Sequence, residues 1–183
     1  MKQSTFLFPP AIAGVALAAL VGLGTPTASA APGAAVNVSG IGFSVGDADA
    51  DATFGNAAAA LNGGSASASG GMGNIALAIG ENSVSEIDGG SFNVAAASGT
   101  NSTASVTGGG SSNVVTASGD DSSARVEGGS ANVVFAGRNS GSEVVEEANL
   151  NAMANFCDNG TTIVSAQSAR ITISPGTDPC QEK

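Results

Sequence analysis

The amino-acid sequence predicts an all-β protein, a parallel β-solenoid with about 19 residues per coil and two short strands per coil. Three observations predict this fold. Asparagines recur at a nearly constant spacing, each repeat contains two apolar segments of strand length, and charged residues keep to one parity of the second segment. The length fits one such domain behind an export signal.

The repeat is marked by asparagines separated by 19, 18, 19, 20, 19 and 19 residues. A fixed period of this size is typical of stacked supersecondary units. In a buried column, each side-chain amide must bond its neighbours above and below, whereas an asparagine at a corner only starts a turn. The sequence leaves both interpretations open. The predicted ladder consists of Asn37, Asn56, Asn74, Asn93, Asn113, Asn132 and Asn151.

The two segments of each clear repeat are separated by Gly together with Asn, Asp or Ser. Glycine tolerates positive φ, and Asn and Asp tolerate the left-handed region, so the separators predict turns and the segments predict strands. In the second segment Arg125 and Glu127 must face water. That parity places Ser122, Ala124 and Val126 inside, which predicts a thin interior of small residues.

The first segment of each repeat is weakly apolar on both of its sides. We therefore expect its second side to be covered by the C-terminal segment, by another copy of the chain or by an envelope partner. An uncharged sheet face of this kind is a candidate interaction surface. Its predicted residues are Ile75, Leu77, Ile79, Val94, Val114, Val133 and Phe135.

Residues 1–30 have the pattern of a secretory signal peptide. Lys2 supplies the positive charge, an apolar run follows over about residues 11–23, and Ala-Ser-Ala ends the segment at residues 28–30. The apolar run is short for a membrane-spanning helix, so a permanent anchor is the less favoured alternative. We expect the cleaved chain to be secreted or held at the cell surface, without membrane insertion.

The composition argues against common catalytic and nucleic-acid-binding classes. The chain has no His, 15 acidic and 5 basic residues, and a formal charge of -10. Without histidine it cannot form a Ser-His-Asp or Cys-His pair or a His-ligated metal centre. Its negative charge disfavours contact with phosphate backbones and anionic lipid. We expect a protein that is not an enzyme, uses no cofactor and binds no nucleic acid.

The solenoid domain is predicted to span residues 31–145, and residues 146–183 are predicted to form a small C-terminal cap. Residues 146–155 fit either a last coil or a short helix, with the coil slightly favoured. Two predicted strands follow, enclosed by Cys157 and Cys180. A cysteine pair in an exported chain predicts a disulfide, and two free thiols are the alternative.

The acidic run at residues 47–51 has a metal-binding interpretation, because it places aspartates at positions 1, 3 and 5 of a calcium loop. The loop also requires Gly at position 6 and Glu at position 12, where this chain has Ala52 and Ala58. We therefore predict a charged outer face that keeps the rod soluble and no metal site.

A family resemblance rests on the repeat residues. Between Gly110 and Val126 the chain reads Gly-x-x-Asn, strand residues, Ala and then Gly-x-x-Ser-x-Ala-x-Val. This spacing resembles the curlin repeats of bacterial surface amyloid subunits. The stretch from Gly80 to Val84 is similar to the head repeats of trimeric autotransporter adhesins. Either resemblance implies an export-linked structural or adhesive role and no catalysis.

The sequence thus favours a bacterial secreted or cell-surface structural protein that contacts itself or an envelope component through a solenoid face. One alternative is a ligand-binding solenoid that recognises polysaccharide or an ordered surface through Ser and Thr rows, although aromatic residues for stacking are few. Another is a carboxylate-dependent, glycan-active β-helix enzyme. Its tight acidic pairs within the repeats are Asp120-Asp121 and Glu146-Glu147. Adjacent residues of a strand point to opposite faces, so neither pair can converge on one bond unless a turn redirects it.

Overall fold

The computed structural model describes residues 33–145, 149, 151–156, 161–165 and 171–174. The predicted signal peptide at residues 1–30, and Cys157 and Cys180 with their predicted disulfide, lie outside the described residues. The described strands, in chain order, are β1 (Ala34–Val38), β2 (Ile41–Val45), β3 (Asp49–Ala52), β4 (Ala57–Leu61), β5 (Ser65–Ser69), β6 (Ile75–Ile79), β7 (Val84–Asp88), β8 (Val94–Ser98), β9 (Thr103–Thr107), β10 (Val114–Ser118), β11 (Ser123–Glu127), β12 (Val133–Ala136), β13 (Gly141–Val145), β14 (Ala152–Asn155), β15 (Thr161–Ser165) and β16 (Ile171–Ser174).

The strands form two sheets. Sheet A has nine strands in the order β16-β14-β12-β10-β8-β6-β4-β1-β2, and sheet B has seven in the order β15-β13-β11-β9-β7-β5-β3. From β3 onward the chain alternates between the sheets, and each strand pairs in parallel with the next strand of its own sheet. The predicted all-β parallel solenoid is confirmed, with about five turns spaced by about 19 residues.

The register keeps equivalent residues of successive coils level with one another. Val94 pairs with Val114, and Val114 pairs with Val133, with no offset between rungs. Identical positions therefore stack into straight columns along the rod. Each column is a row of side chains that repeats at the strand spacing, so residues of the same type at one repeat position form a continuous line along the rod.

The interior between the two sheets is narrow and filled by small side chains. Ala124 and Val126 are fully buried and Ser122 is 2% exposed, while Arg125 and Glu127 on the other parity are exposed, as predicted. Sheet A contributes mainly alanine and valine from its inward positions. Such residues gain little from burial compared with Leu or Phe, so the hydrogen-bond ladders carry a large share of the fold's specificity.

The N-terminal end departs from the predicted architecture. Strand β1 pairs with β4 in the antiparallel direction, and β2 returns antiparallel to β1. The two strands are joined at Ser39 and Gly40, whose φ angles of 55° and 81° suit a tight two-residue hairpin turn. Asn37, a member of the predicted ladder, therefore lies in a strand that runs against the direction of the coils.

The C-terminal end also departs from the predicted boundary. Strand β14 pairs in parallel with β12, β15 with β13, and β16 with β14. Parallel stacking therefore continues past residue 145, where the sequence predicted a separate cap. Within residues 146–155, the part from Ala152 to Asn155 is a strand of sheet A, which agrees with the coil and not with the helix.

Six of the seven predicted asparagines form one buried column. The side-chain Oδ1 atom of each member before the last accepts the backbone N–H of the asparagine in the next coil, with N···O distances of 2.9–3.0 Å. The donor atoms are equally engaged: Nδ2 of Asn93 donates to the carbonyl oxygens of Gly89 and Gly110 at 3.2 and 2.8 Å. The members are Asn56, Asn74, Asn93, Asn113, Asn132 and Asn151.

This geometry unites the two interpretations left open by the sequence, since each asparagine is both inward and at a corner. Each side chain is buried, yet each residue stands immediately before the first strand of its coil. Asn37 lies outside the column: its Oδ1 accepts the N–H of Gly40 at 3.0 Å, and its Nδ2 donates to Asp51 at 3.4 Å. Within the described residues, Oδ1 of Asn151 has no hydrogen-bond partner.

Two further columns were not predicted from the sequence. At the corner before sheet A, the hydroxyl of Ser111 accepts the backbone N–H of Ser91, and the hydroxyl of Ser130 accepts that of Ser111, both at 3.2 Å. At the opposite corner, Nδ2 of Asn101 donates to Asp121 at 3.1 Å, and both residues have positive φ. The recurrence of Ser two positions before the asparagine, and of Asn or Asp two positions after a glycine, was the available signal.

Candidate interaction surface

The outward side of sheet A carries the predicted interaction residues. Along β6, β8, β10 and β12, buried and more exposed residues alternate, whereas all five residues of β4 are buried. Ile75, Leu77 and Ile79 of β6 are all on the outward parity. The register aligns them with the outward residues of the following strands. The structure thus brings together on one face all seven predicted residues, Ile75, Leu77, Ile79, Val94, Val114, Val133 and Phe135.

The same face extends over the N-terminal hairpin, which the sequence analysis did not include. Val36 of β1 is level with Ala59 of β4 on one side and with Phe43 of β2 on the other, so all three belong to one column. The outward side chains of β2 protrude furthest: Ile41 is 79% exposed and Phe43 is 62% exposed. We call the outward residues of β1, β2, β4, β6, β8, β10, β12 and β14 the apolar face.

The apolar face has no charge within the part of the chain that the structure describes. Its outward positions are held by Ala, Val, Ile, Leu and Phe, with Ser98, Thr116 and Ser118 as its polar members. Phe135 packs on Phe156, with ring centroids 5.0 Å apart and planes tilted by 42°. This aromatic pair makes the apolar face bulkier at β12 than at the neighbouring strand β14, whose outward residues are alanines.

A ridge of exposed apolar side chains borders the face at the corner that precedes it. Phe54, Met72 and Phe92 are 64%, 60% and 68% exposed. Glycine makes room for two of them: a methyl group at Gly73 would come within 2.7 Å of the Phe92 ring, and one at Gly55 within 3.0 Å of Met72. The ridge and the apolar face together form one uncharged region that continues around the edge of the rod.

The outward side of sheet B has the opposite character. Glu86, Asp88 and Glu127 are exposed there, and Asp49 and Asp51 continue the acidic surface at the N-terminal end. The guanidinium of Arg125 lies 3.4 Å from Glu127 and 3.6 Å from Glu143. These ion pairs are largely solvated, so they contribute little to stability. The rod therefore has one apolar side and one acidic side.

The acidic pair Asp120 and Asp121 is engaged in holding a corner. A carboxylate oxygen of Asp120 accepts the backbone N–H of Thr100 at 2.9 Å, and this hydrogen bond lowers the pKa of Asp120 below its ordinary value. Desolvation, the second-largest influence, opposes this shift of the pKa, and the Thr100 hydroxyl and the positive charge of Arg138 lower the pKa further. Asp121 instead accepts the amide of Asn101. Both carboxylates thus serve contacts between coils.

The acidic run at residues 47–51 is also accounted for by local contacts. Asp47 accepts the backbone N–H of Gly33 at 3.2 Å, whereas Asp49 and Asp51 point outward from β3. Among the described residues no group of three or more His, Cys, Asp or Glu side chains is arranged to hold a metal ion. Nor does any described segment form a helix with the length and hydropathy needed to cross a bilayer.

No protein-family model, curated protein or solved structure gives a significant match to this chain.

Proposed function

We propose that this chain is an exported, non-catalytic structural protein, secreted or held at the bacterial cell surface, and that it acts by binding through its apolar face. The observation that carries the proposal is the separation of the two sides of the rod. Leu77, Val114 and Val133 belong to the apolar face, whereas Glu86 and Glu127 lie on the acidic side. Folding of a solenoid requires an apolar surface only on the inner side of each sheet. An apolar outer side of sheet A is therefore not needed for folding.

The extent of the apolar face supports a binding role. Its strands are stacked at a spacing of about 4.8 Å and are about 16 Å long, so its eight strands cover about 600 Å². Exposed apolar patches on monomeric proteins rarely exceed a few hundred Å² without an interaction function. Continued exposure of Ile41, Phe43 and Val133 would promote unspecific association, which a dedicated partner prevents.

Hydroxyl rows offer less support for glycan or ordered-surface recognition. On the outward side of sheet B, Thr103, Ser105 and Thr107 of β9 form one hydroxyl-bearing rung. The rungs beside it carry Glu86 on one side and Arg125 on the other at the same column position as Ser105. Charges therefore interrupt the hydroxyl array along the rod, whereas the apolar face continues from β2 to β14.

A matched pair of variants tests the role of the apolar face. Val114 in sheet A and Val84 in sheet B are 38% and 39% exposed, so lysine is equally tolerated by the fold at either position. The purified cleaved chain, Val114→Lys and Val84→Lys would be compared for binding to intact cells and wall fragments and for self-association by light scattering. We expect Val114→Lys alone to lose binding.

The proposal would be overturned by a wild-type chain that stays monomeric at high concentration and binds neither cells nor wall fragments. Equal loss in both variants would also contradict it, because the acidic side would then share the contact. N-terminal sequencing of the exported protein tests the proposed export and signal cleavage separately: we expect the mature chain to start near Ala31.

A further inference from the structure

We propose that the partner of the apolar face is the same face of a second copy of the chain, related by a two-fold axis that lies in the interface and runs parallel to β8. The proposal rests on the function proposed above and specifies its partner. It follows from three features of the described residues: the area of the face, the distribution of charge around the rod, and the order of large and small side chains along it.

The area matches what a stable dimer requires. A typical specific interface buries about 800 Å² on each partner. The flat projection of the apolar face is about 600 Å², and the side chains that stand up from it increase the accessible surface. The exposed ridge at Phe92 and Met72 adds further apolar area that can be buried. One apolar face per copy therefore supplies the area that a dimer interface needs. Two flat sheets can pack face to face as layers about 10 Å apart.

The distribution of charge selects another copy of this chain over a charged partner. The apolar face presents no described charged group, so nothing on it would recognise an ionic surface. Face-to-face packing of two copies places the acidic sides, with Glu86 and Asp88 on each, on the two outer surfaces of a four-layer sandwich. Their separation then exceeds the Debye length of about 8 Å at physiological salt, and their repulsion is largely screened.

The order of side-chain sizes selects the direction of packing. Around a two-fold axis along β8, each strand faces the strand at the same distance on the other side of β8 in the second copy. Strand β6 then faces β10, which sets Leu77 over Thr116. Strand β4 faces β12, which sets Ala59, only 7% exposed between its larger neighbours, opposite Phe135. Large side chains thus meet small ones, as close packing requires.

The other two-fold arrangement lacks this complementarity. With the axis along the rod, each strand would face its own copy, so that Phe135 meets Phe135 and Leu77 meets Leu77. Such contacts would hold the sheets apart at the bulky rungs and leave gaps at the alanine rungs. The axis along β8 instead brings only the outward residues of β8, Val94, Ala96 and Ser98, against their own copies, with the small Ala96 at the centre.

The test places a single thiol at the axis. In Ala96→Cys the two introduced thiols of a dimer lie next to each other, so a short bismaleimide should link two chains. The matched control is Ser67→Cys, which is at the middle column of the acidic side on β5. Wild-type protein treated in the same way controls for the native cysteines. Light scattering measures the mass, and circular dichroism confirms that each variant is folded.

We expect a species of twice the chain mass, a cross-link in Ala96→Cys, and none in Ser67→Cys or in the wild type. Val114→Lys should raise the dissociation constant by roughly a hundredfold, because it buries an unpaired charge in the interface, and Val84→Lys should leave it unchanged. A dimer that fails to cross-link at position 96, or that cross-links equally at position 67, would overturn the proposal.

A monomeric wild type would also overturn it, and the binding experiments separate this result from failure of the proposed function. A monomer that binds wall fragments through Val114 keeps the interaction role and replaces the partner. A monomer that binds nothing removes both proposals. Higher salt should strengthen the dimer, since screening lowers the repulsion between the two acidic chains.

Discussion

The side-chain Oδ1 atom of Asn74 accepts the backbone N–H of Asn93 at 3.0 Å, and the Oδ1 atom of Asn93 in turn accepts the N–H of Asn113. Each asparagine therefore satisfies a backbone donor in the next coil at a corner where the sheet ladder is interrupted. In a fold with so thin an interior, this column provides the contact between coils that side-chain packing provides in larger cores.

Loss of one column member should be strongly destabilising. In Asn93→Ala, the N–H of Asn113 and the carbonyl of Gly110 each lose a buried partner. We expect the free energy of unfolding to fall by about 3 kcal/mol, since each orphaned buried group costs about 1–3 kcal/mol. Chemical denaturation measures the change. Asn101→Gly, which removes an exposed ladder member at a positive φ, should cost much less.

The width of the interior can be tested with neighbouring residues of β8. Ala95 is fully buried and faces sheet B, whereas Ala96 faces outward. Ala95→Leu should destabilise the fold by about 2 kcal/mol or more, because the extra methylene and methyl groups have no space. Ala96→Leu should change the thermal midpoint of the monomer only slightly. Equal costs at the two positions would show that the sheets can separate.

Glycine is required at the corners for space as well as for conformation. Gly90 and Gly109 have φ angles of 66° and 82°, so an alanine is strained at either position. A methyl group at Gly90 would overlap the carbonyl oxygen of Gly110, whereas one at Gly109 would meet nothing within 4 Å. We expect Gly109→Ala to cost about 1–2 kcal/mol and Gly90→Ala to cost clearly more. Comparable unfolding midpoints would refute the steric explanation.

The Thr100 to Asp120 contact predicts a small dependence of stability on pH. Because the folded state lowers the pKa of Asp120 from 3.8, its contribution is complete above that value and is lost as the pH falls through the lower folded pKa. A chemical-shift titration of the Asp120 carboxyl should give a midpoint below 3.8. In Asp120→Asn, stability should decline less on acidification. A midpoint at or above the ordinary value would contradict the assigned hydrogen bond.

Much of the repeat could be predicted because its signal is local and recurrent. The asparagine spacing predicted the coil, and the charges at Arg125 and Glu127 predicted which side of the second strand is wet. Those inferences need only the alternation of a strand and the cost of burying charge. The first strand has no such charges; the sequence indicated only two weakly apolar sides and a candidate face that included Ile75 and Leu77, and the structure places both on the outward parity.

The N-terminal hairpin was missed for a physical reason. Asn37 keeps the repeat spacing to Asn56, so periodicity alone assigns it to the column. The direction of its strand depends instead on the turn at Ser39 and Gly40, where two successive positive φ angles reverse the chain. Spacing cannot distinguish a parallel rung from an antiparallel one. A Ser-Gly pair between two apolar runs was the signal that favoured the hairpin.

The reversed hairpin makes the two termini of the rod inequivalent, and this has a consequence for how such a chain changes in length. Duplication or removal of one whole repeat between β4 and β12 would add or delete a rung while every hydrogen bond on either side keeps its partner type. The hairpin strands β1 and β2 cannot be copied in this way, because β1 pairs antiparallel with the one edge of β4 that the parallel rungs leave free. The rod therefore lengthens only by insertion of repeats between β4 and β12, and the hairpin stays at its N-terminal end.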